Sequence, residues 1–189
     1  MITEDNAHKV IGLLKRGLKE LYRIDYFNIR CDVSERNICA RLAMHLENIM
    51  RKEHIFDGYF VDVEYNRQGG DHLKQYYDHV AQRPRAMVSD LLIQSRGQER
   101  NLLALELKKL KNKKDVDNDI KRLIELVKPD DSENRYCVHN TLVGAFVTYS
   151  STEVSIQLFS EIEDINESTL SFKIHKDKSH HSVSLRELQ

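Results

Sequence analysis

Asp90, Glu106 and Lys108 are the residues whose types and spacing can do chemistry. Leu102 to Leu107 is an apolar run of strand length, and Glu106 and Lys108 at its end are two residues apart. Side chains alternate along a strand, so these two project from one face. Asp90 interrupts an earlier apolar run, Met87 to Ile93. The two runs flank the polar turn Ser95-Arg96-Gly97-Gln98, and this pattern predicts a β-hairpin. If the hairpin pairs so that Asp90 shares the face of Glu106, two carboxylates and an ammonium converge at the edge of an apolar sheet. Charges withdrawn from water need a compensating partner. A divalent cation is one such partner, and two oxygen ligands with open positions suit Mg²⁺. The competing expectation is a plain ion pair at a strand end.

Asp90, a hairpin and then Glu106-Leu107-Lys108 resemble the Asp…Glu-x-Lys signature of the PD-(D/E)XK, or restriction-endonuclease-like, nuclease superfamily. Ser89 stands where that signature usually has proline. The resemblance implies an αβββαβ core with a mixed central sheet and a metal-dependent nuclease, acting on DNA before RNA and leaving a 5′-phosphate. It implies that Asp90 and Glu106 hold Mg²⁺ or Mn²⁺ with the carbonyl of Leu107 as a third ligand. Lys108 would then orient the attacking water or stabilise developing charge. Many members also carry a Glu on the first core helix that reaches the metal site, and here that residue is Glu35.

The elements that must position these groups can be read in order. Ser34 is a fitting N-cap for a helix from Glu35 to about Arg51. Its apolar residues Ile38, Cys39, Leu42, Leu46, Ile49 and Met50 span roughly 120° of surface at ~100° per residue, with Glu35 near the middle. Two readings of Glu35 stand: a helix-end charge, or a carboxylate aimed at the hairpin. Tyr59 to Asn66 alternates as a strand with one polar face, which makes Glu64 a supporting group for the site or a charge on an exposed edge. Asp115 to Lys128 is a helix stopped by Pro129, with Lys121 a candidate for the groove. Thr141 to Tyr149 is nearly all apolar and reads as a central strand covered on both faces. Helix, three strands, helix, strand is the αβββαβ order, over roughly residues 34–149.

An amphipathic helix over Thr3 to Arg23 precedes this core, and an aromatic connector over Tyr22 to Val33 joins them. The helix offers a contact for a homodimer or a larger complex. Gln68 to Arg85 is polar and carries Lys74, Tyr76, Tyr77, His79, Arg83 and Arg85, either a flap over a nucleic-acid backbone or an ordinary insertion. Val154 to Leu158 and Leu170 to Ile174 alternate as added edge strands, and His175, His180 and His181 belong to a solvated tail.

With 189 residues the chain suits one domain. Its 29 Lys and Arg balance 30 Asp and Glu, which excludes a uniformly basic coat, so phosphate binding must come from a local patch. The densest patch is Lys108, Lys109, Lys111, Lys113 and Lys114, leaving directly from the Glu106 strand. Lys109, Lys111, Lys113, Lys114 and Lys121 are therefore the candidate nucleic-acid contacts. Cys31, Cys39 and Cys137 form no C-x-x-C pair, so reduced thiols are expected. No signal peptide or membrane span is visible, and a cytoplasmic protein is expected. Two function classes follow: a metal-dependent nuclease in defence or repair, and a nuclease-fold module without catalysis that binds nucleic acid or assembles with protein.

Overall fold

The computed structural model describes residues 4–64, 67–68, 72–73, 75–78, 83–86, 88–96, 100–128, 141–177 and 182–188. Helix α1 spans Glu4–Arg30 and α2 spans Glu35–Glu53. The expected connector over Tyr22–Val33 is therefore helical through Arg30. The apolar period runs on through Leu18, Leu21, Tyr22 and Ile29, across a kink at buried Asp25. The aromatic residues serve this helix: the Tyr22 and Tyr26 hydroxyls donate to the Ser150 and Ser151 carbonyls at 2.7 and 3.2 Å. Ser34 caps α2, its Oγ accepting from the Asn37 N–H at 3.2 Å. The helices approach closely at Gly17, where an added Cβ would lie 2.5 Å from Leu46 Cδ2.

Seven strands form one sheet: β1 Phe60–Val63, β2 Leu91–Ser95, β3 Arg100–Lys109, β4 Thr141–Tyr149, β5 Glu153–Phe159, β6 Thr169–Asp177 and β7 Ser182–Glu187. Their spatial order follows the chain, β1 to β7. Every neighbouring pair is antiparallel except β3 and β4, which are parallel. Parallel neighbours need a crossover, here built around helix α3, Val116–Val127. Counting only strands of this sheet, the order from α2 to β4 is helix, three strands, helix, strand; four short strands outside the sheet lie between the first two.

Alternate residues of the sheet face different layers. Leu91, Ile93, Leu103, Leu105, Leu107, Val143, Ala145 and Val147 pack with α1 and α2 in the main core. Leu92, Ala104 and Phe146 turn the other way, onto Leu123, Leu126 and Val127 of α3. The reading of β4 as covered on both faces holds.

Several boundaries differ from expectation. β1 has four residues rather than eight, because Glu64 leaves the extended region with φ 53°. Asp90 sits at a bend just before β2 rather than inside a strand. β5 and β6 both lie inside the sheet, not at its edge, because β7 pairs beyond them. β7 was not anticipated: only Val183 and Leu185 supply its apolar alternation, and just Leu185 is buried. His175 is an exposed residue of β6, while His180 and His181 lie outside the described residues. Between β1 and β2 run two small antiparallel ribbons, Arg67–Gln68 with His72–Leu73 and Gln75–Asp78 with Arg83–Ala86. The flap expected over Gln68–Arg85 otherwise lies outside the described residues, as does Cys137. No helix among the described residues is long and apolar enough to cross a membrane.

Candidate active site

The hairpin register sets the geometry. Leu91 pairs with Leu105, so Asp90, one residue earlier, stands across from Glu106. Asp90 lies where β2 leaves β3, and its side chain replaces the missing strand: Oδ2 accepts the Leu107 N–H at 2.8 Å. The Asp90 backbone is fixed too, its carbonyl accepting from the Glu64 N–H at 3.1 Å and the Cys39 thiol at 3.1 Å. The next free N–H on that edge of β3, from Lys109, donates to Glu35 Oε1 at 2.8 Å. Asn112 Nδ2 donates to the same oxygen at 3.0 Å. In a strand the N–H and C=O of one residue point to the same side. The Leu107 carbonyl therefore points to the same β3 edge, between the N–H groups that Asp90 and Glu35 take.

Glu106 and Lys108 rise from the α3 face, as their spacing predicts, and α3 meets them with charges of its own. Arg122 Nη2 lies 3.2 Å from Glu106 Oε1 and 2.6 Å from Asp119 Oδ1. Lys108 Nζ lies 2.5 Å from Asp119 Oδ2, an ion pair without hydrogen-bond alignment. Glu106 and Asp119 are each only 3 % exposed. The cluster thus holds three carboxylates (Asp90, Glu106, Asp119) against two cations.

This imbalance in a dry setting shifts the acids. Burial drives Glu106 up to about 8, against the pull of Arg122 and with help from the negative charges of Asp90 and Asp119. Burial also raises Asp90; the Leu107 N–H opposes this and Asp119 adds to it. Burial works against the charge of Lys108, but its Asp119 partner outweighs that and the ammonium is held more firmly than usual. Cys39 is pushed up by burial and then by the Asp90 and Glu106 charges, so it packs as a neutral thiol.

The site residues expected from sequence divide into two groups. Asp90, Glu106, Leu107, Lys108 and Glu35 meet at one end of β3. Glu64 contributes its backbone; its carboxylate turns out to Arg36 at 2.6 Å. Lys109 and Lys111 turn to Asp32, at 2.9 and 2.7 Å. Lys113, Lys114 and Lys121 are exposed. On α3 it is Arg122, not Lys121, that reaches the cluster.

Asp119 and Arg122 were missed from sequence. A signal existed: Asp119 lies on the buried stripe of Leu123, Leu126 and Val127, as Glu35 lies on the stripe of α2. A carboxylate on a buried stripe asks for a partner in either helix.

Among the described residues no group of three or more His, Cys, Asp or Glu side chains is arranged to hold a metal ion. The oxygens that fit a hard cation are the two opposed carboxylates, Asp90 and Glu106, and the Leu107 carbonyl. Mg²⁺ commonly takes one or two carboxylates and keeps several waters, so this donor set suits it. Carboxylates raised by burial are also those whose ionised form a divalent charge would stabilise. No family model and no curated protein matches the chain.

Proposed function

We infer that this chain is a metal-dependent nuclease of the PD-(D/E)XK, restriction-endonuclease-like kind, hydrolysing phosphodiester bonds of nucleic acid, with DNA the preferred substrate. One observation carries the reading: where β2 departs, Asp90 takes the Leu107 N–H across from Glu106, which puts both carboxylates at the end of β3 with the Leu107 carbonyl on the edge that Asp90 occupies. A strand end built only for stability would not gather two buried carboxylates and a half-buried third there.

Asp90, Glu106 and the Leu107 carbonyl would hold Mg²⁺ or Mn²⁺. When bound, the ion supplies charge neutralisation at the scissile phosphate and a more acidic water. The chain's own residues do the rest. Lys108, aimed by Asp119, presents its ammonium to the phosphate oxygens or the attacking water. Arg122 steadies Glu106 and adds a second cation for developing negative charge. Glu35 fixes the end of β3 through the Lys109 N–H, keeping the Leu107 carbonyl in place. Exposed Lys113, Lys114 and Lys121 supply backbone contacts without base reading.

Asp90→Ala, Glu106→Gln and Lys108→Ala, each assayed with Mg²⁺ or Mn²⁺ on plasmid and on single-stranded DNA, test the assignment. Loss of about 10²-fold or more in each is expected. Cleavage that persists in all three would end it.

A second reading, a nuclease fold without catalysis, is favoured by the ion pairs that already engage Glu106 and Lys108. Calorimetry separates the two. Mn²⁺ binding that disappears in Asp90→Ala and Glu106→Gln belongs to a working site; no such binding belongs to the module.

A further inference from the structure

On the outer side of the helical layer, away from the sheet, α1 and α2 enclose a groove of about 680 Å³ that the proposed chemistry does not use. We propose that this groove docks an acidic amphipathic helix of a partner protein. The proposal is independent of the nuclease reading.

Three features select that occupant. The first is charge. Arg16, Lys19, Arg23, Arg41 and Lys52 line the groove against only Glu20 and Glu53. Arg16 and Arg23 pair with those two glutamates, and Arg41 pairs with Asp25 beneath. Lys19 and Lys52 at the rim are exposed. A partner bringing carboxylates to the rim meets a surplus of positive charge.

The second is the apolar centre. Ile24 and Met44 line the groove at 49 % and 40 % exposure, although large apolar side chains are ordinarily covered. Phe27, one turn beyond Ile24, is 64 % exposed and carries Arg30 over its ring. Exposed Met and Phe bordered by Arg is the composition of a binding hot spot rather than of a solvated helix face.

The third is shape. The lining residues run from Arg16 to Ile24 on α1 and from Arg41 to Glu53 on α2. At 1.5 Å per residue that is a trough of ~12–18 Å, room for two to three turns of a docked helix. Such a helix offers apolar anchors at every third or fourth residue and acidic flanks, matching the centre and the rim.

A nucleic-acid strand fits less well. No Phe, Tyr or Trp lines the groove, its His45 ring is buried, and Arg30 already covers the Phe27 ring beyond it, so a base finds little to stack on. Glu20 and Glu53 would also face its phosphates. Beneath the groove, buried His45 Nε2 and Arg41 Nε hold the two oxygens of Asp25 at 2.6 and 2.7 Å, tying α2 to the kink of α1.

The test is a display selection of random peptides of about 14 residues against the full chain, followed by anisotropy titration of the winners. Winners rich in Glu and Asp with apolar residues at helical spacing are expected. Their affinity should fall about tenfold or more in Ile24→Asp, in Met44→Asp and in the double variant Arg23→Glu with Lys52→Glu. All four positions are surface residues, and unchanged circular dichroism and Tm show that each variant folds. Winners without acidic bias, no winners, or binding indifferent to these variants would overturn the proposal. So would a single-stranded oligonucleotide that outcompetes the winners and is itself lost in Ile24→Asp.

Discussion

The face of the sheet that meets α1 and α2 and the face that meets α3 are built from alternate residues of the same strands, yet their chemistry differs. Leu103, Leu105 and Leu107 point into a broad apolar core. Ala104, Glu106 and Lys108, interleaved with them, point to α3, where the apolar cluster is small and gives way to five charged groups. Apolar burial is non-directional and favourable, whereas burying charge costs free energy unless each group is matched. One face therefore supplies stability and the other spends part of it on a preorganised polar cluster. The large core over α1 and α2 is what allows the α3 face to hold unbalanced carboxylates.

If this division is right, the two faces respond differently to substitution and to pH. The largest effect belongs to the apolar face. Leu105→Ala, at a fully buried position, should cost ~2–5 kcal/mol by lost transfer energy and cavity formation. Urea denaturation should find the same loss at pH 6 and pH 9, since the substitution removes only apolar atoms. Arg122→Ala comes next. It strips the shared cation from Glu106 and Asp119, and leaving charged hydrogen-bonding groups unsatisfied costs ~1–3 kcal/mol. This loss should be larger at pH 9 than at pH 6, because a protonated Glu106 needs a counter-charge less. An Arg122→Ala loss that ignores pH would mean that the guanidinium acts by packing, and the contrast between the faces would blur.

The apolar face was the more legible in sequence. Helical spacing in α1 and α2 and the uninterrupted run of β4 announced their burial, because periodicity encodes which face is covered. The charged face was legible only where it rides on a strand. Glu106 and Lys108 declared a shared side by their two-residue spacing, and Glu35 declared itself by breaking an apolar stripe. Asp119 and Arg122 belong to a helix whose docking onto the sheet is a long-range fact, so their meeting with Lys108 and Glu106 could not be read locally. The lysines after β3 show the reverse. Their density suggested a phosphate-binding run, but Lys109 and Lys111 fold back onto Asp32, a residue some eighty positions away in the chain. Charge density along a sequence does not say which charges the fold will pair.

The sharpest test is one whose sign is unusual. Glu106 is raised to about 8 by burial, from an ordinary value of 4.5. Between those values the folded state binds a proton that the unfolded state has released. Stability therefore falls as pH rises through that window and levels off above it. Glu106→Gln replaces the carboxyl with a neutral group of nearly the same shape and removes this dependence. Without added metal, variant and wild type should match near pH 5. Above pH 8 the variant should be the more stable, with Tm higher by ~2–4 °C for each kcal/mol relieved. Adding Mn²⁺ at pH 8 should raise the Tm of the wild type and leave the variant unmoved, because only the ionised carboxylate gains a partner. A variant less stable than wild type throughout would make Glu106 a structural partner of Arg122. The α3 face would then be contributing to stability as the other face does, and the case for a cation at the end of β3 would lose its physical motive.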